Sequence, residues 1–165
     1  MASYFFSKKQ ALRHIIHAFK YEQNREVCIQ MGKYMGAHIK NSERMLPIDF
    51  LIPIPVHSSR EKKRGYNQAL LLCEGIEQTT GIPILSNIVQ RAKATETQTR
   101  KGRSERWKNV AAGFYIEDES LLQQKHLLLI DDVITTGATI EACGSVILKA
   151  QPASLSIAAL AWASE

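Results

Sequence analysis

Two adjacent carboxylates, Asp131 and Asp132, follow the apolar run Leu127–Ile130. Val133 and Ile134 come next, then the hydroxyl-rich turn Thr135, Thr136, Gly137, Ala138 and Thr139. Carboxylates accept hydrogen bonds well, which suits them to the adjacent hydroxyls of a sugar diol. Backbone N–H groups at a helix start, joined by threonine hydroxyls, suit a phosphate. Gly137 permits positive φ or a close backbone approach. A diol clamp beside a phosphate cradle describes a binder of ribose 5-phosphate.

Rival chemistries fail on spacing. The chain has no G-x-x-x-x-G-K-[ST] phosphate loop and no G-x-G-x-x-G dinucleotide fingerprint. It has no G-x-S-x-G nucleophile elbow, and its acids are adjacent rather than spaced Asp-x-Asp. The three cysteines, Cys28, Cys73 and Cys143, are far apart among apolar residues and form no Cys-x-x-Cys pair. They read as buried free thiols, and a structural zinc site has no support. No residue is assigned as a metal ligand.

The charge is uneven. The chain carries a net +5, but Arg60 to Arg64 alone holds +3 and Arg91 to Lys108 holds +5, leaving −3 elsewhere. Concentrated positive charge points to a polyanionic partner, either a nucleic acid or a phosphorylated small molecule.

These groups need elements to position them. A chain of 165 residues reads as one domain, 1–165, with a core of its own. No apolar run is long enough to cross a bilayer, and the N-terminus lacks the apolar segment and cleavage site of a signal peptide. A cytoplasmic protein without membrane insertion is expected. Ser7 and Gln10 form a capping box before a helical spacing of Leu12, Ile15, Ile16 and Phe19. Val27, Met31, Tyr34, Met35, His38 and Ile39 predict a second helix. Asp49 to His57 reads as a buried strand in which Pro53 and Pro55 limit ladder bonds. Tyr66 to Gly81 reads as a helix stopped by the glycine.

Strands are expected in ILSNIVQRA, in NVAAGFYI, in HLLLID (126–131) and in LSIAALAWA, with a helix over 139–150. Residues 93–108 are polar, basic and without apolar periodicity, a loop of functional length. Alternating strands and helices predict an α/β fold with a mostly parallel central sheet flanked by helices. Ligands on such sheets bind at the carboxyl ends of strands, which sets Asp131 and the residues after Pro55 on one edge.

LLLIDDVITTGAT resembles the phosphoribosyl diphosphate (PRPP) signature of type I phosphoribosyltransferases. FKYEQNREV, IPIPVHSSREKKRGYNQA, RAKATETQTRKGRSERWKNVAAGFYI and LSIAALAWA resemble, in order, segments of the ComF/GntX-like family. The resemblance spans about Phe19 to Trp162 and implies a five-stranded sheet with a flexible loop over the active site. It implies that Asp131 and Asp132 bind the ribose 2′ and 3′ hydroxyls. Val133, Thr135, Thr136, Gly137, Ala138 and Thr139 would complete the PRPP site, the turn holding the 5-phosphate. Pro55, Val56 and His57, with Arg60 and Arg64, would bind pyrophosphate. Arg91, Gln98 and Arg106 would belong to the flexible loop of about 93–108.

The implied reaction transfers ribose 5-phosphate from PRPP to a nitrogen nucleophile with Mg²⁺, releasing pyrophosphate. Basic groups and a metal ion would stabilise charge on the leaving group, and loop closure would exclude water. Two alternatives stand beside it. One is a PRPP or nucleotide sensor without turnover. The other is a competence accessory protein whose basic segments bind single-stranded DNA or a helicase partner. Tyr66, Trp107 and Tyr115 are the aromatic residues in or beside those segments. The family usually opens with a cysteine-rich zinc-binding segment, after which this chain begins. Gln151 and Pro152 stand where Gly-Ala is the more usual turn. The hood that selects the acceptor in other phosphoribosyltransferases has no evident counterpart.

Overall fold

The computed structural model describes residues 25–42, 47–56, 65–91 and 113–162. The capping box at Ser7 lies outside them. Three parallel strands form the main sheet in the order β1 (Phe50–Pro53), β4 (His126–Ile134), β5 (Ser154–Trp162). β4 is central, and Leu127, Leu128, Leu129 and Ile130 are all fully buried. An unbroken apolar run is what a parallel strand covered on both faces requires.

Side chains alternate across the sheet, so the run splits between two cores. Leu127 and Leu129 pack with Ile52, Cys143, Val146 and Ile147; the last three come from α3 (Ala138–Lys149). Leu128 and Ile130 pack with Leu51, Cys28, Leu72 and Ile76, under α1 (Arg25–Lys40) and α2 (Gln68–Thr80). The expected helix starts and stops agree closely with these spans. α2 ends at Gly81, which takes φ +75° and donates its N–H to the Glu77 carbonyl, the left-handed cap that glycine adopts at least cost.

α1 and α2 cross with their backbones almost touching. A Cβ placed on Gly75 would lie 2.1 Å from the Ile29 carbonyl oxygen, and one on Gly32 would lie 2.2 Å from that of Leu72. Neither position leaves room for alanine. This close crossing seats the first turn of α1 against the sheet, bringing Cys28 into the core beneath β4.

Among the described residues the main sheet has three of the expected five strands. Beyond β1 there is a single parallel bridge, Leu51 to Ile84, held by Leu51 N–H to Pro83 O and Leu85 N–H to Leu51 O, each at 2.9 Å. β2 (Val89–Arg91) and β3 (Phe114–Ile116) form a separate antiparallel pair. Val89 and Phe114 are buried in the α3-side core, so this short ribbon is anchored by its apolar face. The ribbon also frames the long basic segment, most of which lies outside the described residues.

At the opposite end of the sheet, Asp49 and His126 join β1 to β4. The Asp49 carboxylate accepts from the His126 N–H at 2.7 Å, and the Asp49 N–H donates to the His126 carbonyl at 2.8 Å. The His126 ring meets the Ser154 hydroxyl at 2.9 Å, which aligns the starts of all three parallel strands.

Candidate functional site

The chemistry gathers where β4 leaves the sheet. β4 was expected to end at the acids, but it continues to Ile134. Asp131 pairs with Ala159, Val133 with Ala161 and Ile134 with Trp162. The extension has a physical reason: β5 runs just as long, and offers a backbone partner to the end. Both acids are therefore held in extended backbone, where neighbouring side chains must point to opposite faces.

Asp131 faces the α3 side. It lines a small open depression with Val133, Ile134, Thr135, Thr136, Gly137, Ala138, Thr139 and Ile140. The turn's shape depends on Gly137, whose φ is +79°. It is also the residue before the first turn of α3, and it makes no side-chain cap. The threonines are thus not spent on capping, apart from a long 3.4 Å contact from the Ala138 N–H to Thr136 Oγ1. Thr135, Thr136 and Thr139 are exposed, beside the backbone amides of a helix start.

Asp132 is not among the residues lining this depression. It lies on the α1–α2 face. Burial pushes the Cys28 thiol up to about 11; the Tyr66 hydrogen bond opposes that shift, the Asp132 charge adds to it, and Arg25 opposes it. On the other face, burial pushes the Cys143 thiol up to about 12, the Asp131 charge adds to that, and Arg91 opposes it. Each acid is thus felt by a thiol on its own side of β4. All three cysteines are free and buried, as their apolar surroundings predict.

On each face an arginine acts on the same thiol as the acid, Arg25 on Cys28 and Arg91 on Cys143. Arg91, at the end of β2, lies 5.0 Å from the centroid of the Phe114 ring. Arg25, at the start of α1, lies 5.8 Å from the centroid of the Tyr66 ring. Tyr66 sits in the segment returning from the expected pyrophosphate turn. The next residue, Asn67, secures that segment: its amide donates to the Ile54 carbonyl at 3.1 Å, and its oxygen accepts the Ala69 N–H at 3.0 Å. One side chain thus caps α2 and ties it to the exit of β1. Sequence reasoning did not single out Asn67 or Arg25. An Asn before an apolar helix was a legible cap signal; Arg25 carried none.

The expected site residues divide accordingly. The structure brings together Asp131, Val133, Thr135, Thr136, Gly137, Ala138 and Thr139, and puts Asp132 across the strand. Pro55 and Val56 leave β1 at the same edge of the sheet. Arg91 lies at the root of the long basic segment. His57, Arg60, Arg64, Gln98 and Arg106 lie outside the described residues. Among the described residues, no three His, Cys, Asp or Glu side chains converge as a metal site. Mg²⁺ commonly binds through one or two carboxylates with substrate phosphates, rather than in an all-protein cage. Asp131, beside the threonine turn, suits that arrangement as a single carboxylate. Among the described residues, no helix is long and apolar enough to cross a membrane.

Comparison with known proteins gives a consistent picture. Residues 75–164 match the model of the phosphoribosyl transferase domain. Competence protein F of Haemophilus influenzae is 30% identical over 140 residues, covering 82% of this chain and 61% of its own. A DNA utilization protein, YhgH, of Salmonella typhi is 28% identical over 138 residues, covering 82% and 60%. The chain thus spans about three-fifths of the length of these curated relatives. Among solved structures, glutamine phosphoribosylpyrophosphate amidotransferase from B. subtilis superposes with a TM-score of 0.56 at 15% identity, over 84% of this chain and 26% of that one. An adenine phosphoribosyltransferase superposes with a TM-score of 0.56 at 13% identity, over 90% and 75%.

Proposed function

The chain belongs to the type I phosphoribosyltransferase domain family, in its ComF-like branch, and on that premise we propose that it binds PRPP and transfers ribose 5-phosphate to a nitrogen nucleophile. One observation carries the reading. Asp131 and the Thr135–Thr139 turn line a single depression at the carboxyl end of the central parallel strand. The turn's amides and hydroxyls receive the 5-phosphate, and the Asp131 carboxylate accepts hydrogen bonds from the ribose hydroxyls. Asp132 adds a second negative charge at the same edge.

In the proposed reaction the nitrogen lone pair forms a bond to ribose C1. The C1–O bond to pyrophosphate breaks with its electron pair leaving on oxygen, and the nitrogen loses a proton. Positive charge builds on the sugar at the transition state, and the carboxylates at this edge favour it. Arg91 and the basic residues 92–108 supply positive charge for the departing pyrophosphate. Mg²⁺ bound to the pyrophosphate oxygens would neutralise part of its charge. The site of action is the cytoplasm, and residues 1–165 act as one domain.

Titration calorimetry with PRPP and Mg²⁺ tests this reading. The wild type should bind, and Asp131→Asn/Asp132→Asn should not. Pyrophosphate release across a panel of nitrogen bases then separates turnover from sensing. A wild type that fails to bind PRPP would sink the reading.

A second reading rests on the names of the relatives, which concern competence and DNA utilization. The concentrated basic charge of residues 60–64 and 91–108 would then engage single-stranded DNA or a helicase partner. Binding to single strands that weakens steeply with salt would favour it.

A further inference from the structure

β5 ends the main sheet, so among the described residues only one of its two edges is paired. The N–H and C=O groups that point away from β4 form a second row of bonding positions along the strand. Long edges are usually blunted by charged side chains or proline, but the nine residues SLSIAALAW of β5 include neither. The concentrated positive charge lies on other segments, residues 60–64 and 91–108. The flank of α3 above this edge is apolar as well. A Cβ on Gly144 would lie 3.5 Å from a Leu155 methyl, which sets that side of α3 over β5. Leu148, four residues on, shares that side and is 57% exposed. Trp162, at the far end of β5, is 55% exposed, and its ladder partner Ile134 packs against the α3-side core.

We propose that this edge docks the β5 edge of a second copy of the chain, antiparallel, about a two-fold axis at Ala158. The strand matches itself in length: with Ala158 on the axis, all nine residues find partners, Ser154 opposite Trp162 and Leu155 opposite Ala161. Any other register leaves apolar end residues unpaired. The same register carries Trp162 of one copy to the Ser154–Leu155 end of the other, on the side of α3 that presents Leu148. The two exposed side chains then cover each other twice, the reciprocal contact that a two-fold interface requires. β5 brings no charge to the contact, so two chains of net +5 meet along their uncharged edge. The three strands of each copy join into one sheet, and the Asp131 depressions open at its opposite ends.

Sedimentation velocity over a concentration series of the full chain tests the association. The wild type should reach a dimer, and Trp162→Ala should raise its dissociation constant about thirtyfold or more, the scale of a tryptophan at the heart of an interface. Leu148→Lys should weaken it in the same direction. Both side chains are exposed, so thermal unfolding of these variants at low concentration should match the wild type. Cysteine cross-linking tests the register, since the three native thiols are buried and leave an added one to react alone. Ala158→Cys should give a disulfide-linked dimer on mild oxidation, because facing Cα atoms of an antiparallel pair lie about 4.5–5.5 Å apart, within the span of a disulfide. Ser156→Cys should not, because it faces Leu160 of the other copy. A wild type that stays monomeric at every concentration would overturn the proposal, since another segment or solvent then covers the edge. A dimer indifferent to both Trp162→Ala and Leu148→Lys would overturn it as well. So would a Ser156→Cys variant that cross-links as readily as Ala158→Cys.

Discussion

The backbone N–H of Asp132 donates to Asp131 Oδ1 at 2.8 Å, tying together two neighbouring acids whose side chains leave the strand on opposite faces. The adjacency in sequence therefore conceals a separation in space. The two carboxylates meet different surroundings: a threonine-lined depression for Asp131, and for Asp132 the α1–α2 face, where its charge acts on Cys28.

The first prediction follows from that separation. Asp131→Asn should weaken ribose 5-phosphate binding about tenfold or more, the scale of one lost hydrogen bond to a charged group. Asp132→Asn should change it by less than about threefold. Calorimetry on the two single variants measures both, and equal losses would show that the acids act on the sugar as a pair.

A second prediction concerns the crossing of α1 and α2. Gly75→Ala pushes a methyl group onto the Ile29 carbonyl, and backbone cannot turn aside as a flexible side chain can. A loss of about 2–4 kcal/mol is expected, at or above the usual range for overpacking. Gly144→Ala in α3 is the control. Its new Cβ would sit 3.5 Å from a Leu155 methyl, an ordinary contact. Relief of glycine's helix penalty should then stabilise the protein by about 0.5–1 kcal/mol. Urea unfolding of the two variants should move in opposite directions.

The third concerns Asn67. Asn67→Ala removes the α2 cap and leaves the Ile54 carbonyl without its amide partner. The expected cost is about 1–2 kcal/mol in denaturant unfolding. Asn67→Asp keeps the capping oxygen but cannot donate to Ile54 O, so it should recover only part of the loss.

The buried thiols make the fourth. Cys28 and Cys143 have folded pKa values pushed up to about 11 and 12, from a reference of 9.0. Above pH 9 the unfolded chain gives up these protons while the folded chain keeps them. The unfolded state then binds fewer protons, so stability falls as pH rises. The thiol contribution is fully present below pH 9 and is lost between pH 9 and about 11–12. Cys143→Ala should flatten this slope in unfolding curves at pH 8–10.5. A slope identical to the wild type would show that Cys143 does not contribute. Below pH 9, thiol reagents should label Cys28 and Cys143 only as the protein unfolds.

Much of the architecture was legible locally. The apolar run before Asp131 announced a doubly covered strand, and Gly81 announced the end of α2. The glycine and threonines at 135–139 announced a turn at a helix start. Each depends on a rule that acts over a few residues. The length of β4 was not legible, because its last residues are strand only through pairing with β5. The isolation of β2 and β3 from the main sheet was equally hidden. Three-residue strands carry too little pattern to reveal their partner.

By itself, the sequence pointed to a donor chemistry: acids for hydroxyls, amides and threonines for phosphate, and bases for a polyanion. It also determined the layered α/β plan, through apolar periodicity. Only the tertiary structure decided which face each acid occupies. That follows from the register of β4 against β5 and from the two helix layers covering opposite sides. It also decided that Arg25 lies over Tyr66, because the glycine-to-glycine crossing of α1 and α2 seats the first turn of α1 beside that ring. Contacts between residues 41 positions apart depend on how helices pack, and no local pattern encodes them.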